Sequence, residues 1–340
     1  MRVIVTGACG MIGSNLVRSL IQENHQVIGI DNLSRGRMSH VTDDGECIID
    51  HFIEMDLAKP GSLDNWLNDA DVLIHLADVV GGVNYVFDNE LAVFNQNLLI
   101  NTNVINAIKM GNHRLKKIIY VGTACSFPKY LQNDVNPWPL VETDLFPANP
   151  ESGYGWSKLM GNIGFRLLAE TTNIQTITLM LHNVYGRYCD YQMAPQVIPA
   201  LINKVIQDPT KLDVWGNGNQ VRDFVHVSDV VNAIEWCMDS NILEVPNFEW
   251  SVYEEIMIGS ETPTTIRHVA EIIKEISENA TGQECQINYG NDTDPIGDVA
   301  RYGDCKKAQD LMNWNAQMNL RDGIGDLYHW IKMDAAKLKF

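Results

Sequence analysis

The sequence lacks an apolar run approaching 18 residues, so it predicts no transmembrane helix. It also lacks CxxC pairs and Cys/His clusters that could bind zinc, and its seven cysteines are widely spread. The first residues enter an apolar segment directly, without the basic region, longer apolar stretch and cleavage site of a signal peptide. We therefore expect a reduced, cytoplasmic protein that binds no metal.

Basic residues are scarce. Lys and Arg number 25 and Asp and Glu number 43, which gives a formal net charge of −18. Such an acidic surface argues against binding to nucleic acid or to an anionic membrane. A local cluster of arginines can still hold an anionic small ligand. The 340 residues are enough for one large and one smaller domain, and no repeat or linker interrupts them.

Strand and helix patterns alternate along the first half of the chain. Buried apolar runs predict strands at 2–6, 27–31, 52–55, 72–76, 118–121 and 175–181. Apolar periodicity predicts helices after residue 10, at 91–110 and at 154–172. This alternation predicts the α/β class, with a Rossmann-like doubly wound parallel sheet.

The pattern becomes irregular after Asn183. Helices are predicted at 197–206, 227–238, 266–278 and 305–312, and strands at 211–215 and 255–258. We expect residues 1–183 to form the cofactor-binding Rossmann domain, with a segment near 224–260 returning to it. Residues 184–340 are expected to form a smaller mixed α/β domain that binds substrate and interleaves with the first.

Three glycines stand between the first predicted strand and the first predicted helix, as Gly7-x-x-Gly10-x-x-Gly13. Glycines let the backbone approach a pyrophosphate, and a helix N-terminus favours its negative charge. A purely structural turn is the alternative, but the strand–turn–helix context favours a dinucleotide site. Met11 and Ile12 lie within this loop and are predicted to contact the cofactor.

Asp31 ends the second predicted strand, where a carboxylate can accept hydrogen bonds from the adenosine ribose. It would repel a 2′-phosphate, which favours NAD. Arg35 and Arg37 leave this choice open, unless they are solvated loop charges. Further cofactor contacts are predicted at Asn32, Asp56, Leu57, Leu76, Ala77 and Asn97. Asp56 could instead cap a helix.

Tyr154 and Lys158 are four residues apart, which places them on one face of the predicted helix. An ammonium there can lower the pKa of the phenol, so that Tyr154 accepts a proton from a sugar hydroxyl near neutral pH. Thr123 ends a buried strand and could share that proton. The alternative is an ordinary surface pair.

Together with these residues, several motifs resemble the extended short-chain dehydrogenase/reductases that act on nucleotide sugars. The likeness covers almost the whole chain. Its markers are His75-Leu-Ala77, Asn97, Asn101-Thr-Asn103, Asn183-Val-Tyr-Gly186, Trp215-Gly-Asn-Gly218, Arg222-Asp-Phe-Val-His226, Ile258-Gly-Ser260 and Arg301-Tyr-Gly-Asp304. Within the family, GDP-mannose 3,5-epimerase and GDP-fucose synthase are most similar, through segments 81–83, 123–128, 181–186 and 197–201.

The resemblance implies NAD as the cofactor and a nucleotide-diphosphate sugar, GDP-linked, as the substrate. It implies a homodimer that forms through helices 91–110 and 154–172. Arg222 and Arg301 are candidates to hold the diphosphate bidentately, with a surface ion pair as the alternative for each. The other implied substrate contacts are Gly82, Val83, Asn183 and Val197.

Cys125 is the unusual residue beside this machinery. A lone cysteine is more often a small packed side chain, but the resemblance implies a role for Cys125 as an acid/base at carbon. The relatives carry a second acid/base, Lys or His, at positions that align with Met193 and Gln196, neither of which can transfer protons. The candidate substitutes are His182, Tyr188 and Cys189.

These residues predict an NAD-dependent nucleotide-sugar epimerase that oxidises C4 transiently. Thr123, Cys125, Tyr154 and Lys158 are its predicted catalytic residues. Cys125 could then assist inversion at C3 or C5, or the ketone could simply be reduced from its other face. The alternatives are a 4-dehydrogenase or 4-keto reductase and, from another class, a non-catalytic regulator that binds nucleotide sugar or NAD(H). A 4,6-dehydratase is disfavoured, because those relatives carry Asp-Glu where Ala124 and Cys125 stand.

Overall fold

The computed structural model describes residues 1–134, 137–239, 251–291 and 297–337. The strands are β1 (Arg2–Thr6), β2 (Gln26–Asp31), β3 (Thr42–Asp43), β4 (Glu46–Cys47), β5 (His51–Glu54), β6 (Val72–His75), β7 (Lys117–Thr123), β8 (Gln175–Leu181), β9 (Asn183–Tyr185), β10 (Lys211–Val214), β11 (Val221–His226), β12 (Tyr253–Ile258), β13 (Pro263–Thr265) and β14 (Gln286–Tyr289). The helices are α1 (Met11–Gln22), α2 (Val83–Asp88), α3 (Glu90–Met110), α4 (Gly153–Thr172), α5 (Val197–Gln207), α6 (Val227–Asp239), α7 (Ile266–Thr281), α8 (Lys306–Met312) and α9 (Leu320–Lys337).

A seven-stranded sheet forms the centre of the molecule, in the order β12-β8-β7-β6-β1-β2-β5. All its neighbouring strands are parallel. The chain moves outward from β1 through β2 to β5 and then returns to the other side of β1 at β6. The predicted doubly wound Rossmann-like sheet is confirmed, and its switch point lies between β1 and β6, where such sheets bind ligands.

Strand β1 shows why the sheet is covered on both faces. Its β-branched residues are all fully buried, as expected for a parallel strand between two helical layers. Val3 and Val5 pack in the core that contains residues of α1 and α6. Ile4 points the other way, into the core that contains residues of α3 and α4. Alternate side chains thus bind the two layers to one strand.

The second half of the chain builds a separate core among α5, α7 and α9. Two short sheets flank it, β10 with β14 and β13-β11-β9. This part is the smaller mixed α/β region expected from the sequence. The boundary at 183/184 stays a prediction. Of the segment expected to return near 224–260, α6 packs against α1 and β12 joins the main sheet, and residues 240–250 lie outside the described residues.

Helix α4, which carries Tyr154 and Lys158, has well-defined ends. The Ser152 side chain caps its first turn by accepting a hydrogen bond from the Gly155 N–H at 3.4 Å. Asn173 ends the helix in the left-handed conformation, with φ of 57°. The sequence interpretation missed α9, although Ile324, Leu327 and Ile331 follow helical spacing. Among the described residues no helix is both long and apolar enough to cross a membrane, and the seven cysteines are unbridged.

Candidate active site

One large cavity, of about 860 Å³, opens at the carboxyl ends of the central strands and extends toward α5. It brings together most of the residues that the sequence singled out. Those that line it are Gly7, Gly10, Met11, Ile12, Gly13, Asp31, Asn32, Asp56, Leu57, Leu76, Ala77, Gly82, Val83, Thr123, Cys125, Tyr154, Asn183, Val197, Arg222 and Arg301. Asn97 and Lys158 are the predicted site residues that do not line it.

The glycine loop forms a cradle without side chains at the start of α1. Gly7 has φ of +69°, in the left-handed region, and its N–H donates to the Ile30 carbonyl at 2.7 Å. A Cβ on Gly13 would overlap the Gly7 carbonyl oxygen, so the loop and helix touch through backbone alone. Gly10 is the residue before the helix begins. This close approach fits a dinucleotide pyrophosphate.

Asp31 is held at the end of β2 by two backbone donors. Its carboxylate accepts hydrogen bonds from the N–H of Cys9 at 2.9 Å and of Leu33 at 2.8 Å. Burial raises the pKa of Asp31, and the backbone hydrogen bonds oppose that rise. The carboxylate lines the cavity, where a ribose can be bound.

Arg35 and Arg37 are not solvated loop charges. Arg35 pairs with Asp190 (Nε to Oδ2, 3.3 Å) and donates to the Ala194 carbonyl at 2.9 Å. Arg37 pairs with Asp334 at 2.8 Å. Because both guanidinium groups already bind acidic partners, neither is poised for a 2′-phosphate, which agrees with NAD.

Two predicted cofactor residues have local structural partners. Asp56 Oδ1 accepts from the Ala58 N–H at 3.0 Å, so it stabilises a turn as well as lining the cavity. The buried Asn97 amide bonds to both backbone groups of Val79, at 2.7 and 3.0 Å. The Asn97 amide therefore fixes the loop after β6, and its direct contact with the cofactor stays a prediction.

Tyr154 and Lys158 meet at a third residue that the sequence interpretation missed. The Tyr154 hydroxyl lies 3.3 Å from Asp78 Oδ2, and Lys158 Nζ lies 3.2 Å from the same oxygen. Lys158 is buried and its Nζ lies 4.7 Å from the centre of the Tyr120 ring. Asp78 directly follows His75-Leu-Ala77 at the end of β6, and that position was its only signal in the sequence.

This arrangement changes the expected electrostatics of Tyr154. Burial raises the pKa of the Tyr154 phenol well above its ordinary value, and the charges of Asp78 and Cys125 add to the rise. A hydrogen bond with Thr123 opposes it. Burial alone would lower the pKa of Lys158, but Tyr120 and Asp78 raise it. The expectation of a lowered Tyr154 pKa is wrong for this arrangement, because burial raises it most and the Asp78 charge adds to the rise.

Cys125 lies beside the two predicted diphosphate arginines. It is half-buried, and its N–H donates to Thr123 Oγ1 at 3.2 Å. Its thiolate charge would raise the pKa of both Arg222 and Arg301. Each arginine is buried, so the surface ion pair considered as an alternative is wrong for both. A thiolate at Cys125 therefore has two cationic neighbours.

Asp298 joins the two arginines. Arg301 Nη1 donates to Asp298 Oδ2 and to Gln132 Oε1, each at 3.1 Å. Arg222 Nη2 donates to the Asp298 carbonyl at 2.7 Å. Burial lowers the pKa of Arg222 to about 10, and the neighbouring Arg301 contributes. The buried Arg301 Nε has no hydrogen-bond partner among the described residues, which leaves a donor for an anionic ligand.

Glu151 is a further cavity residue that the sequence interpretation missed. Its Oε1 lies 3.5 Å from Lys129 Nζ. Burial, together with the charge of Asp298 and a hydrogen bond to it, raises the pKa of Glu151 to about 7. In the sequence, an acidic residue just before a predicted helix is indistinguishable from an ordinary helix-end charge.

The positions aligned with a second acid/base offer none. Met193 is 79% exposed, and Gln196 precedes α5 without capping it. Among the candidate substitutes, burial lowers the pKa of His182 to about 4, so its ring stays neutral. Burial raises the pKa of Cys189 to about 12. Tyr188 packs against the rings of His40 and Trp330.

The fold and cavity define a class, that of Rossmann-type enzymes which bind a dinucleotide beside a Tyr/Lys pair. Comparison with known proteins gives the family. Residues 3–247 match the model of the NAD dependent epimerase/dehydratase family, and the chain belongs to that family. NAD is accordingly its cofactor, as the sequence predicted.

Two curated relatives confirm the resemblance within the family. The chain is 27% identical to GDP-mannose 3,5-epimerase 1 of Oryza sativa subsp. indica, over 100% of this chain and 84% of the relative. It is also 27% identical to GDP-L-fucose synthase 1 of Arabidopsis thaliana, over 97% of this chain and 92% of the relative. The relatives are nucleotide-sugar enzymes, which supports an enzymatic function.

Solved structures show the same fold. A crystal structure of UDP-glucose 4-epimerase with UDP-glucose from Thermotoga maritima has a TM-score of 0.81 and 23% identity. The matched region covers 98% of this chain and 100% of the Thermotoga maritima chain. The match therefore extends over both the central sheet and the smaller mixed region.

Proposed function

We propose that the protein is an NAD-dependent nucleotide-sugar epimerase that acts on a GDP-hexose through transient oxidation at C4. One observation carries the proposal. A single cavity holds the glycine cradle and Asp31 for the dinucleotide, and also Thr123, Cys125 and Tyr154. The same cavity can thus hold the cofactor and present a sugar to Tyr154.

The glycine cradle, Asp31 and Lys158 would hold NAD, which supplies the hydride acceptor when bound. Tyr154 removes the proton from the C4 hydroxyl, and Thr123 orients that hydroxyl. Asp78 opposes formation of the phenolate, since its charge raises the Tyr154 pKa. Burial and, after it, the Asp78 charge therefore influence the pH at which Tyr154 can act as a base.

Cys125 gives the carbon chemistry. A 4-keto group acidifies the hydrogens on C3 and C5, because the carbanion is an enolate. Cys125 can remove one of them as a thiolate, and the adjacent Arg222 and Arg301 favour that anionic form. Inversion at C3 or C5 then follows if a second group returns a proton on the opposite face.

The choice of a GDP sugar is supported by the likeness to two enzymes whose names include GDP. A solved structure of the same fold contains UDP-glucose instead. Arg222, Arg301 and Asn183 are the proposed diphosphate contacts, with Gly82, Val83 and Val197 bordering the rest of the substrate. A panel of GDP and UDP sugars separates the two nucleotides.

We also propose a homodimer through α3 and α4, which pack against each other. Large apolar side chains on these helices are exposed in the single chain, and a partner would cover them. They are Leu91, Leu99, Met110, Met160 and Leu167. A sedimentation mass near that of one chain would contradict the dimer. The cytoplasmic location and the lack of nucleic-acid or membrane partners stay predictions.

The test is incubation with the sugar panel in D2O. Deuterium at C3 or C5 of an inverted product supports carbon epimerisation. Inversion at C4 without deuterium supports 4-epimerisation. A net change in NADH with a stable ketone identifies a 4-dehydrogenase or 4-keto reductase, the alternative favoured by Met193 and Gln196.

A non-catalytic regulator that binds nucleotide sugar or NAD(H) is the alternative of another class. Met193 and Gln196 favour it, because they stand where the relatives carry a second acid/base. The regulator predicts binding of NAD and sugar without product in any arm of the panel. If the wild type turns over a sugar and Tyr154→Phe abolishes that turnover, the non-catalytic regulator is excluded.

A further inference from the structure

Glu151 lines the same cavity as Arg222 and Cys125, and its charge acts on Arg222. Its side chain is 17% exposed, with Lys129 at the exposed edge. A Cβ added to Gly297 would lie 3.7 Å from Glu151 Oε2 and 3.5 Å from Arg222 Nη2. The carboxyl and the guanidinium group therefore flank the same small residue, and the absent side chain leaves space between them.

The contact between Glu151 and Asp298 locates a proton. Asp298 Oδ2 accepts a hydrogen bond from Arg301, whereas its buried Oδ1 receives no donor from the other residues that the structure describes. The Glu151 carboxyl can donate a hydrogen bond to Asp298, and burial, the Asp298 charge and this bond raise the pKa of Glu151. Two carboxyl groups can form such a bond only when one is protonated. Because Arg301 stabilises the charge of Asp298, Glu151 holds the proton.

The strength of this acid suits proton transfer. Burial and Asp298 raise the pKa of Glu151 to about 7, although Lys129 and Arg301 oppose the rise. A group with a pKa near the working pH both gives and accepts protons efficiently. Among the candidates aligned or considered for the second acid/base, none combines such a pKa with a place in the cavity.

Glu151 and Cys125 share two cationic neighbours. Arg222 and Arg301 each interact with both groups. The two arginines therefore favour a negative charge on either group, the Cys125 thiolate or the Glu151 carboxylate. One group can therefore act as base while the other acts as acid, without a change in the buried net charge.

We infer that Glu151 is the second acid/base of carbon epimerisation and returns a proton to the carbon from which Cys125 removes one, as inversion of that carbon requires on its opposite face. This inference rests on the proposed epimerase function. Once C4 is a ketone, the Cys125 thiolate takes the proton from the adjacent carbon, and the C–H electron pair enters the enolate. The Glu151 carboxyl then protonates that carbon, which leaves a carboxylate and an inverted centre. Transfer of one proton from the thiol to the carboxylate through water restores the starting state.

Isotope exchange separates the two roles. We compare Glu151→Gln with Cys125→Ser and with the exposed control Glu284→Gln, in D2O, on a sugar that the wild type inverts. In Glu151→Gln, inversion should fall at least about 100-fold. Deuterium should still enter the same carbon with retained configuration, because Cys125 remains a base. Cys125→Ser should lose both processes, and Glu284→Gln neither.

Two results would overturn the role of Glu151. One is an equal loss of exchange and inversion in Glu151→Gln, and the other is no loss of either. If the wild type inverts C4 without any carbon exchange, the role also falls, but the epimerase proposal stands. If the wild type forms neither product nor NADH with any sugar, the proposed function itself fails.

Thiol reactivity tests the Glu151–Cys125 coupling without turnover. The rate of Cys125 alkylation by iodoacetamide is followed by peptide mass spectrometry across the pH range. Above about pH 7 the Glu151 carboxylate disfavours the thiolate, so Glu151→Gln should react several-fold to about tenfold faster than wild type. The rates should converge at about pH 5.5, where Glu151 is protonated. Identical profiles would contradict the coupling, even in a variant that folds with the wild-type melting temperature.

Discussion

The cavity has two catalytic ends, an oxidation end at Tyr154 and a carbon end at Cys125, and each holds a half-buried carboxylate in different surroundings. At the oxidation end, Asp78 contacts the ammonium of Lys158 and the hydroxyl of Tyr154. At the carbon end, Glu151 contacts another carboxylate, that of Asp298. A cation beside a carboxylate favours its charged form, whereas a second carboxylate favours a shared proton. Asp78 therefore acts on its neighbours through its negative charge, whereas Glu151 holds a proton that it can transfer.

This difference assigns separate chemistry to the two ends. The Asp78 charge acts on the base that opens the reaction, because it raises the pKa of Tyr154. The Glu151 proton acts on the step that follows oxidation. Loss of the Tyr154 base at the first end should stop every reaction of the enzyme, whereas changes at the second end should affect only proton transfer at carbon.

The largest expected effect follows from removal of the Tyr154 hydroxyl. Tyr154→Phe should lower kcat about 10²- to 10⁴-fold, the usual contribution of a positioned acid/base. NADH formation in a single turnover and deuterium exchange should fall together, since both need the ketone. The exposed Tyr130→Phe is the matched control and should retain activity. Deuterium exchange that survives in Tyr154→Phe would contradict the proposal that oxidation at C4 must come before proton transfer at carbon.

The reactions at both ends depend on the same bound dinucleotide. A change in the glycine cradle that binds it should therefore have the next largest effect. A Cβ in Gly13→Ala would overlap the Gly7 carbonyl. NAD affinity should fall at least about tenfold, equivalent to about 1.4 kcal/mol, as measured by titration of the NAD-free protein.

Gly325→Ala is the matched control for the cradle. It lies within α9, where an added Cβ would be 4.0 Å from Ile276 Cδ1. This change should leave NAD binding intact and raise the free energy of unfolding by up to about 1 kcal/mol. Equal NAD affinity in both variants would show that the backbone contact at Gly13 does not shape the cofactor site.

The glycine cradle and Asp31 were predictable because their signals are local. Each is read from a strand, the turn that follows it and the next helix, and the structure places them in the cavity as expected. Helix α9 carried a similar local signal at Ile324, Leu327 and Ile331 that was overlooked. Its interior glycines, Gly323 and Gly325, weaken the helical pattern.

The pairing of charges was not predictable from the sequence. Asp78 meets Lys158, and Glu151 meets Asp298, only after distant strands and loops come together. Residue spacing can place Tyr154 and Lys158 on one helix face, but it cannot show that Asp78 forms an ion pair with the Lys158 ammonium. The direction of the Tyr154 pKa shift was therefore wrong, although the two residues were correctly selected as neighbours.

Asp78→Asn tests whether the Asp78 charge raises the pKa of Tyr154. Removal of its charge should lower the Tyr154 pKa, since that charge raises it. The rising limb of the kcat/KM profile should therefore move to lower pH, by about one pH unit. Asp64→Asn, at an exposed position outside the cavity, is the control and should leave the limb in place. An unmoved limb in Asp78→Asn would mean that Asp78 does not act on the base.

The smallest expected effect tests the stored proton through stability. Burial and Asp298 raise the pKa of Glu151 from its ordinary value of 4.5 to about 7 in the folded protein. Between these values the folded state binds more protons than the unfolded state, so stability should fall as the pH rises from about 4.5 to 7. Glu151→Gln removes this contribution, and its free energy of unfolding should decline less over that range, by an amount on the order of 1 kcal/mol. Urea unfolding of Glu151→Gln, wild type and Glu284→Gln at several pH values measures the difference. Parallel curves for all three proteins would show that the pKa of Glu151 is not raised in the folded state. Glu151 would then not differ from Asp78 in the way proposed.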